Sequence, residues 1–350
     1  MLRRFIPLMI GISLISTSCA DLKKTSNSKL NRIKERGYLK CGISGKIPGF
    51  SFRATSNEIY QGLDVDICKA IAAGILGDKT KLQFRELTAA ERFTALQTGE
   101  VDILSRNTTF NLSRDSARGN NVTFAPVIFY DEQGIMVKKS KNITQLNQLS
   151  GASICVGSGT TSEQNINDIF QEKQITYKPI KYQDLNQVTA GYLQDRCDVM
   201  TSDKSQLWAI RSNFKNPSQH LILNQIISKE PLAPATSARD SDLSDATRWI
   251  IYSLFAAEEY GITKANVRNE VEKAKRNQNL FKMRRFLGIE GGLGNKIGIP
   301  NDFVLKVISA TGNYGEIYRK NLGPESNVNI PRGLNNSFKK GGLLISPPFN

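Results

Sequence analysis

Apolar residues in the first third of the chain alternate between two spacings. Leu30 to Arg36 reads as a helix that stops at Gly37, and Tyr38 to Ile43 follows as a strand. Leu63, Ile67, Ala70, Ile71 and Ile75 recur at helical spacing up to Gly77, and Lys81 to Glu86 then has strand character. A helix over Ala89 to Thr98 and a strand over Val101 to Leu104 continue the alternation. This order predicts α/β layers around a mainly parallel sheet, with ligands at the carboxyl ends of the strands. The same grammar restarts with a strand at Ala152 to Val156, a helix at Ser162 to Glu172, a strand at Lys178 to Lys181, a helix at Leu185 to Gln194 and a strand at Cys197 to Thr201. Extended segments at Ala125 to Val137 and Leu221 to Leu232 flank this second unit and read as two crossing strands that form a hinge. Two helices follow, Leu243 to Glu259 and a basic one around Val267 to Arg285, and then a tail rich in Gly, Pro and Asn.

Length supports this division, because 350 residues exceed the ~250 to 300 that one core sustains. The expected boundaries are a signal peptide over 1–20, the first part of lobe one over 21–131, lobe two over 132–229, and a return to lobe one with a C-terminal helical extension and tail over 230–350. Arg3 and Arg4 precede an apolar run from Phe5 to Ile15, which ends in the small residues Ser16 to Ala20 and has the form of an export signal. Two maturation routes fit: cleavage after Ala20, or lipid attachment at Cys19. Export makes Cys41, Cys68, Cys155 and Cys197 candidates for disulfides. Of the three pairings, Cys41 with Cys68 and Cys155 with Cys197 keeps each bridge inside one lobe and is the expected one. A zinc site is disfavoured because the spacings lack a short Cys-x-x-Cys pair.

The net charge of +15 raises nucleic acid or an anionic surface as partners. The excess is spread along the chain, however, so no nucleic-acid partner is expected. The densest group, Lys273, Lys275, Arg276, Lys282, Arg284 and Arg285, reads first as a solvated helix face. With His220 as the single histidine, a multi-histidine metal site is excluded, and neither metal nor cofactor is expected.

Four constellations could touch a small ligand. Gly157, Ser158, Gly159, Thr160 and Thr161 open a helix whose free N–H groups suit an anion, although simple N-capping would also explain them. No Gly-Lys-Ser or Gly-Lys-Thr follows, and Ser162 replaces the third glycine of a dinucleotide fingerprint. After the strand at Val101 come Asn107, Thr108, Thr109 and Arg114, where a guanidinium could grip a carboxylate; Arg106 and Arg118 compete for that role. Asp203 follows the strand at Cys197, where it could face an ammonium or cap a helix. Phe50 and Phe52 lie in a loop after the first strand and suit packing or a stacking platform.

The segments LKCGISGKIPGF (39–50), GLDVDICKAIAA (62–73), LTAAERFTALQTGEVDILSRNTT (87–109), GASICVGSGTTSE (151–163) and IISKEPL (226–232), together with GNYGE at 312–316, resemble one family. That family is the extracytoplasmic substrate-binding proteins of polar amino-acid ABC transporters, in particular the branch serving general L-amino-acid permeases. The resemblance implies a two-lobe periplasmic-binding-protein fold of type II, the Venus-flytrap form, that closes on an L-amino acid and delivers it, as a periplasmic monomer, to an ABC permease. It further implies that Thr109, Arg114, Thr160 and Thr161 hold the α-carboxylate, while Asp203 and Asn107 receive the α-ammonium. Relatives stack an aromatic near the position of Ala89, which this chain lacks, so Phe50 is the expected substitute. A periplasmic dehydratase on the same scaffold is the alternative, with Glu163 or Glu132 as its acid or base.

Overall fold

The structure, a computed structural model, describes residues 28–350 apart from Ser56. The expected signal peptide and Cys19 lie outside the described residues.

Local chemistry sets the first elements of lobe one. The Ser28 side chain caps α1 (Lys29–Arg36) by accepting from the Asn31 N–H, and Gly37 ends it in the left-handed conformation that glycine adopts without strain. There follow β1 (Leu39–Ile43), the short hairpin β2 (Lys46–Ile47) and β3 (Ser51–Phe52), α2 (Leu63–Leu76), β4 (Leu82–Glu86), α3 (Arg92–Thr98), β5 (Ile103–Leu104), α4 (Leu112–Asp115) and β6 (Val122–Phe124). The long strand β7 (Phe129–Lys138) carries the chain into lobe two. That lobe contains β8 (Ser153–Gly157), α5 (Thr161–Glu172), β9 (Lys178–Tyr182), α6 (Leu185–Leu193), β10 (Val199–Asp203), α7 (Lys204–Ser212) and β11 (His220–Ile222). The chain returns along β12 (Lys229–Leu232) to β13 (Ala235–Ser237), then continues through α8 (Ser241–Glu259), α9 (Val267–Arg276), α10 (Phe281–Phe286), α11 (Leu293–Lys296), α12 (Phe303–Thr311) and α13 (Tyr314–Asn321).

Two sheets result. In lobe one the order is β4-β1-β5-β13-β6, with β1 parallel to β4 and β5, and β13 antiparallel to β5 and β6. In lobe two it is β11-β7-β10-β8-β9, with β8 parallel to β9 and β10. The antiparallel pairing of β12 with the start of β7, from Lys229 opposite Glu132 to Leu232 opposite Phe129, joins the two lobes. Cys41 is bonded to Cys68, tying β1 to α2, and Cys155 to Cys197, tying β8 to the approach to β10.

Several elements differ from expectation. β10 runs two residues further than its apolar run, so Asp203 ends the strand rather than following it. The segment Leu221 to Leu232 is two strands, not one, and the basic helix breaks at Asn277 into α9 and α10. The tail holds α12 and α13, whose residues Phe303, Val304, Val307, Ile308, Tyr314, Ile317 and Tyr318 are buried in the main core of lobe one. Gly74 admits this packing: a Cβ there would lie 2.6 Å from Ile250 Cδ1 on α8 and 3.2 Å from Val307 Cγ2 on α12.

Candidate functional site

Strand ends and helix starts meet between the lobes and enclose a cavity of about 250 Å³. Lobe one brings Asn107 and Thr109 after β5 and Arg92 at the start of α3; lobe two brings Gly157 at the end of β8, Thr160 and Thr161 at the start of α5, and Asp203 at the end of β10. Among the described residues no aromatic side chain lines this cavity, and no group of His, Cys, Asp and Glu could hold a metal ion.

One side of the cavity is cationic. Arg92 is 2% exposed; its Nη2 donates to the Gly159 carbonyl at 3.4 Å, and its Nε is buried without a hydrogen-bond partner. Arg106 donates to the Leu87 carbonyl at 2.8 Å. Arg114 donates to the Thr109 carbonyl at 2.9 Å, and the Arg92 and Arg114 guanidiniums both lie against the Phe93 ring. Burial, then the charges of Arg114 and Arg106, pushes Arg92 well down from the usual arginine range. Burial likewise holds Arg106 down at about 10. It lowers Arg114 too, while Glu230 and Asp203 oppose that shift. Cations so placed are costly unless an anion joins them.

The opposite need arises a few residues away. The Asp203 carboxylate is 5% exposed and accepts one side-chain hydrogen bond, from Gln206 Nε2 at 2.7 Å. Burial, then the neighbouring Asp131 and Glu230 charges, raises its affinity for a proton well above the ordinary carboxylate range. Asn107 sits at φ 40°, its N–H donating to Asp64 Oδ2 at 3.2 Å, and both polar atoms of its side chain are buried without partners. A carboxylate with a single side-chain hydrogen bond, Asp203, and the unpaired Asn107 side-chain amide therefore share a cavity with a guanidinium whose Nε is unpaired.

The hydroxyls are placed differently from the carboxylate clamp implied by sequence. Thr160 caps α5 by accepting from Glu163 N–H at 3.1 Å and donates to the Gly157 carbonyl at 2.7 Å. Thr109 Oγ1 and Thr161 Oγ1 lie 3.2 Å apart, and both reach Glu230 Oε2, at 2.5 and 2.9 Å. Arg114 is buried behind Thr109 and is not a lining residue of the cavity, whereas Arg92 and Arg106 are. Phe50 is 1% exposed, packs edge-on against Phe129 and is not a lining residue either.

Sequence reasoning passed over Arg92 and Glu230. Arg92 follows Glu91 in a short helix where a solvated arginine reads the same, and only its neighbours Ala95 and Leu96 mark that face as buried. Glu230 stands between Lys229 and Pro231, and its inward direction follows from the pairing with β7. Direct contacts bridge the lobes: Lys46 to Asp184 at 3.1 Å and Arg92 to Gly159. A Cβ on Gly159 would stand 3.2 Å from Ala90 Cα.

This geometry is that of a two-lobe solute-binding cleft. Residues 39–285 match the bacterial extracellular solute-binding proteins, family 3, and the chain belongs to that family. It is 43% identical, over 97% of both chains, to the general L-amino acid-binding periplasmic protein AapJ of Rhizobium johnstonii. It is 44% identical to the glutamate/glutamine/aspartate/asparagine-binding protein BztA of Rhodobacter capsulatus, over 93% of this chain and 94% of that one. Among solved structures, a Brucella ovis ABC-transporter periplasmic binding protein with glutathione bound superimposes with a TM-score of 0.86 at 42% identity, covering 92% of this chain and 99% of its own. The protein is accordingly an extracellular solute-binding protein; the relatives named here are binding proteins rather than enzymes, and none supports a dehydratase.

Proposed function

We propose that the cleft binds the zwitterionic head of L-amino acids between the guanidinium cluster and Asp203, and that lobe closure around crossing strands β7 and β12 presents the loaded protein, as a monomer, to the permease. The observation that carries this reading is a pair of opposite charges on one cavity that form no salt bridge among the described residues: a buried arginine whose Nε has no hydrogen-bond partner and a buried aspartate with a single side-chain hydrogen bond. A ligand carboxylate at Arg92, with Arg106 and Arg114 behind it and the first-turn N–H groups of α5 beside it, offsets the first. An ammonium at Asp203 and Asn107 offsets the second. Each contact needs both lobes, so ligand binding favours the closed form by its differential affinity. Thr109 serves this arrangement by holding Arg114 through its carbonyl.

The polar, mixed-charge lining suits acidic, amide and other hydrophilic side chains, in keeping with the broad and acidic-amide ligands named for the relatives. The cavity has room for a ligand longer than one amino acid, and glutathione, bound by the Brucella relative, belongs in the same test. The test is calorimetry of the mature protein against the twenty L-amino acids and glutathione, repeated with Arg92→Ala and Arg114→Ala. Several amino acids should bind, and Arg92→Ala should weaken them roughly 100-fold, the loss of a charge-assisted pair. Absence of binding by every candidate, or turnover of prephenate, would refute the reading. Mass spectrometry of the mature N-terminus separates a chain starting at lipid-modified Cys19 from one starting at Asp21.

A further inference from the structure

We propose that Glu230 is a resident carboxylate buried beneath the cleft that locks the lobes together at its base and takes up the hydroxyl donors there, leaving a ligand's carboxylate to the arginines. Glu230 lies on β12, one of the two strands joining the lobes, and is 1% exposed. Its Oε2 accepts from Thr109 Oγ1 of lobe one at 2.5 Å and from Thr161 Oγ1 of lobe two at 2.9 Å. Its Oε1 accepts from Asn165 Nδ2, one turn further along α5, at 2.8 Å, and from Ser228 Oγ at 2.5 Å. One carboxylate thus bonds lobe one, lobe two and the joining segment together.

Proton counting gives this arrangement its consequence. A threonine hydroxyl carries one proton. With the Glu230 carboxylate as acceptor, the shortest contacts direct both the Thr109 and Thr161 protons to Oε2, so the 3.2 Å approach of the two hydroxyls to each other is held by a shared acceptor. Neither hydroxyl then has a proton for a ligand carboxylate. Hydrogen bonds to an ionised group are about twice as strong as neutral ones, so the latch depends on the charge of Glu230 as well as its shape. Glutamine at this position would keep an acceptor toward the hydroxyls but set its NH₂ against the Asn165 amide.

The test measures the unliganded protein. Spin labels on Thr94→Cys in α3 and Glu172→Cys in α5, both exposed, report lobe separation by pulsed electron paramagnetic resonance. The latch predicts a short-distance population without ligand that falls about tenfold in Glu230→Gln and again in Thr161→Val, which removes the lobe-two donor while keeping the side-chain shape. Distributions that superimpose on the parent in both variants would overturn the proposal. Because a less populated closed form binds ligand more weakly in proportion, calorimetry of Glu230→Gln with the amino acid bound best by the parent should show the same tenfold loss, and an unchanged affinity would also overturn it. The inference rests on the amino-acid reading only for this second measurement. Failure of the parent to bind any amino acid would count against that reading, and the distance distributions alone would then decide whether Glu230 holds the lobes together.

Discussion

In the proposed binding mode Asp203 and Arg92 divide the electrostatic work of the cleft, and the two are unequally visible in the sequence. A carboxylate after a strand points to a ligand site because parallel sheets present their carboxyl ends to the cleft, so position makes Asp203 a candidate, beside the reading of a helix cap, while the acceptor role of Asn107 comes from the family resemblance. Position marks neither Arg92 nor Glu230, since their burial depends on contacts made between lobes and strands far apart in sequence. Phe50 shows the reverse ambiguity: of packing and a stacking platform, the two readings open to a loop aromatic, the structure places it in the core. Replacing Asp203 by Asn keeps the hydrogen bond from Gln206 but removes the charge opposite the ammonium; amino-acid affinity should fall roughly 10- to 100-fold by calorimetry. The pH dependence follows from the same burial. Without ligand, Asp203 holds a proton to higher pH than an ordinary carboxyl, pushed by desolvation, Asp131 and Glu230 and opposed by Arg92. The ammonium requires the ionised form, so binding must release that proton; affinity should therefore drop as pH falls, and calorimetry in buffers of different ionisation enthalpy should register proton release. In Asp203→Asn both the slope and the release should vanish.

At the scale of elements, much of the first 260 residues could be read from periodicity where a helix ends at a glycine or a strand is a short apolar run; β9 (KPIKY) has no such run, and α7 was not read. Gly37, Gly77 and Gly99 each take the left-handed conformation that ends their helices. The C-terminal quarter was harder. α12 carries Phe303, Val304, Val307 and Ile308 at helical spacing, but it is only nine residues long and is embedded among Gly, Pro and Asn. The disulfides reinforce elements whose order was readable. Cys155 and Cys197 close a loop with a sequence separation of 42 residues, which in the chain-entropy account contributes about 4 kcal/mol. Cys155→Ala with Cys197→Ala, in a Trp249→Phe background so that Trp208 on α7 reports lobe two, should lower the urea midpoint of that lobe's transition by the corresponding amount. An unchanged midpoint would mean that the bridge constrains little beyond what the packing of β8 and β10 already fixes.

For the whole molecule, the C-terminal extension bears on how the lobes can move. Its helices pack on lobe one, yet three of its residues grip the beginning of β7, where that strand leaves for lobe two. The Tyr314 hydroxyl donates to the Ile128 carbonyl, the Tyr318 ring stacks on Phe129 at 6.2 Å, and Asn335 pairs with both backbone groups of Tyr130, accepting from its N–H at 2.6 Å and donating to its carbonyl at 3.1 Å. Asn335 thereby covers an edge of β7 that no strand pairs there, as a short strand would. The lobe-one end of the crossing pair is anchored in this way, so bending on opening should concentrate at the lobe-two end, beyond Glu132 on β7 and before Lys229 on β12, where Glu230 also acts. Asn335→Ala removes both bonds from Tyr130 and leaves its backbone groups unpaired at a cost of roughly 1 to 3 kcal/mol. Native-state hydrogen exchange should then show the Tyr130 amide exchanging about 10- to 100-fold faster while amides of β8 and β10 stay unchanged, since they lie outside the anchored segment. If exchange rises equally in both sheets, the loss is one of global stability and the extension is not an anchor; if it rises only at Tyr130 and its neighbours on β7 and β12, the extension fixes where the crossing strands bend.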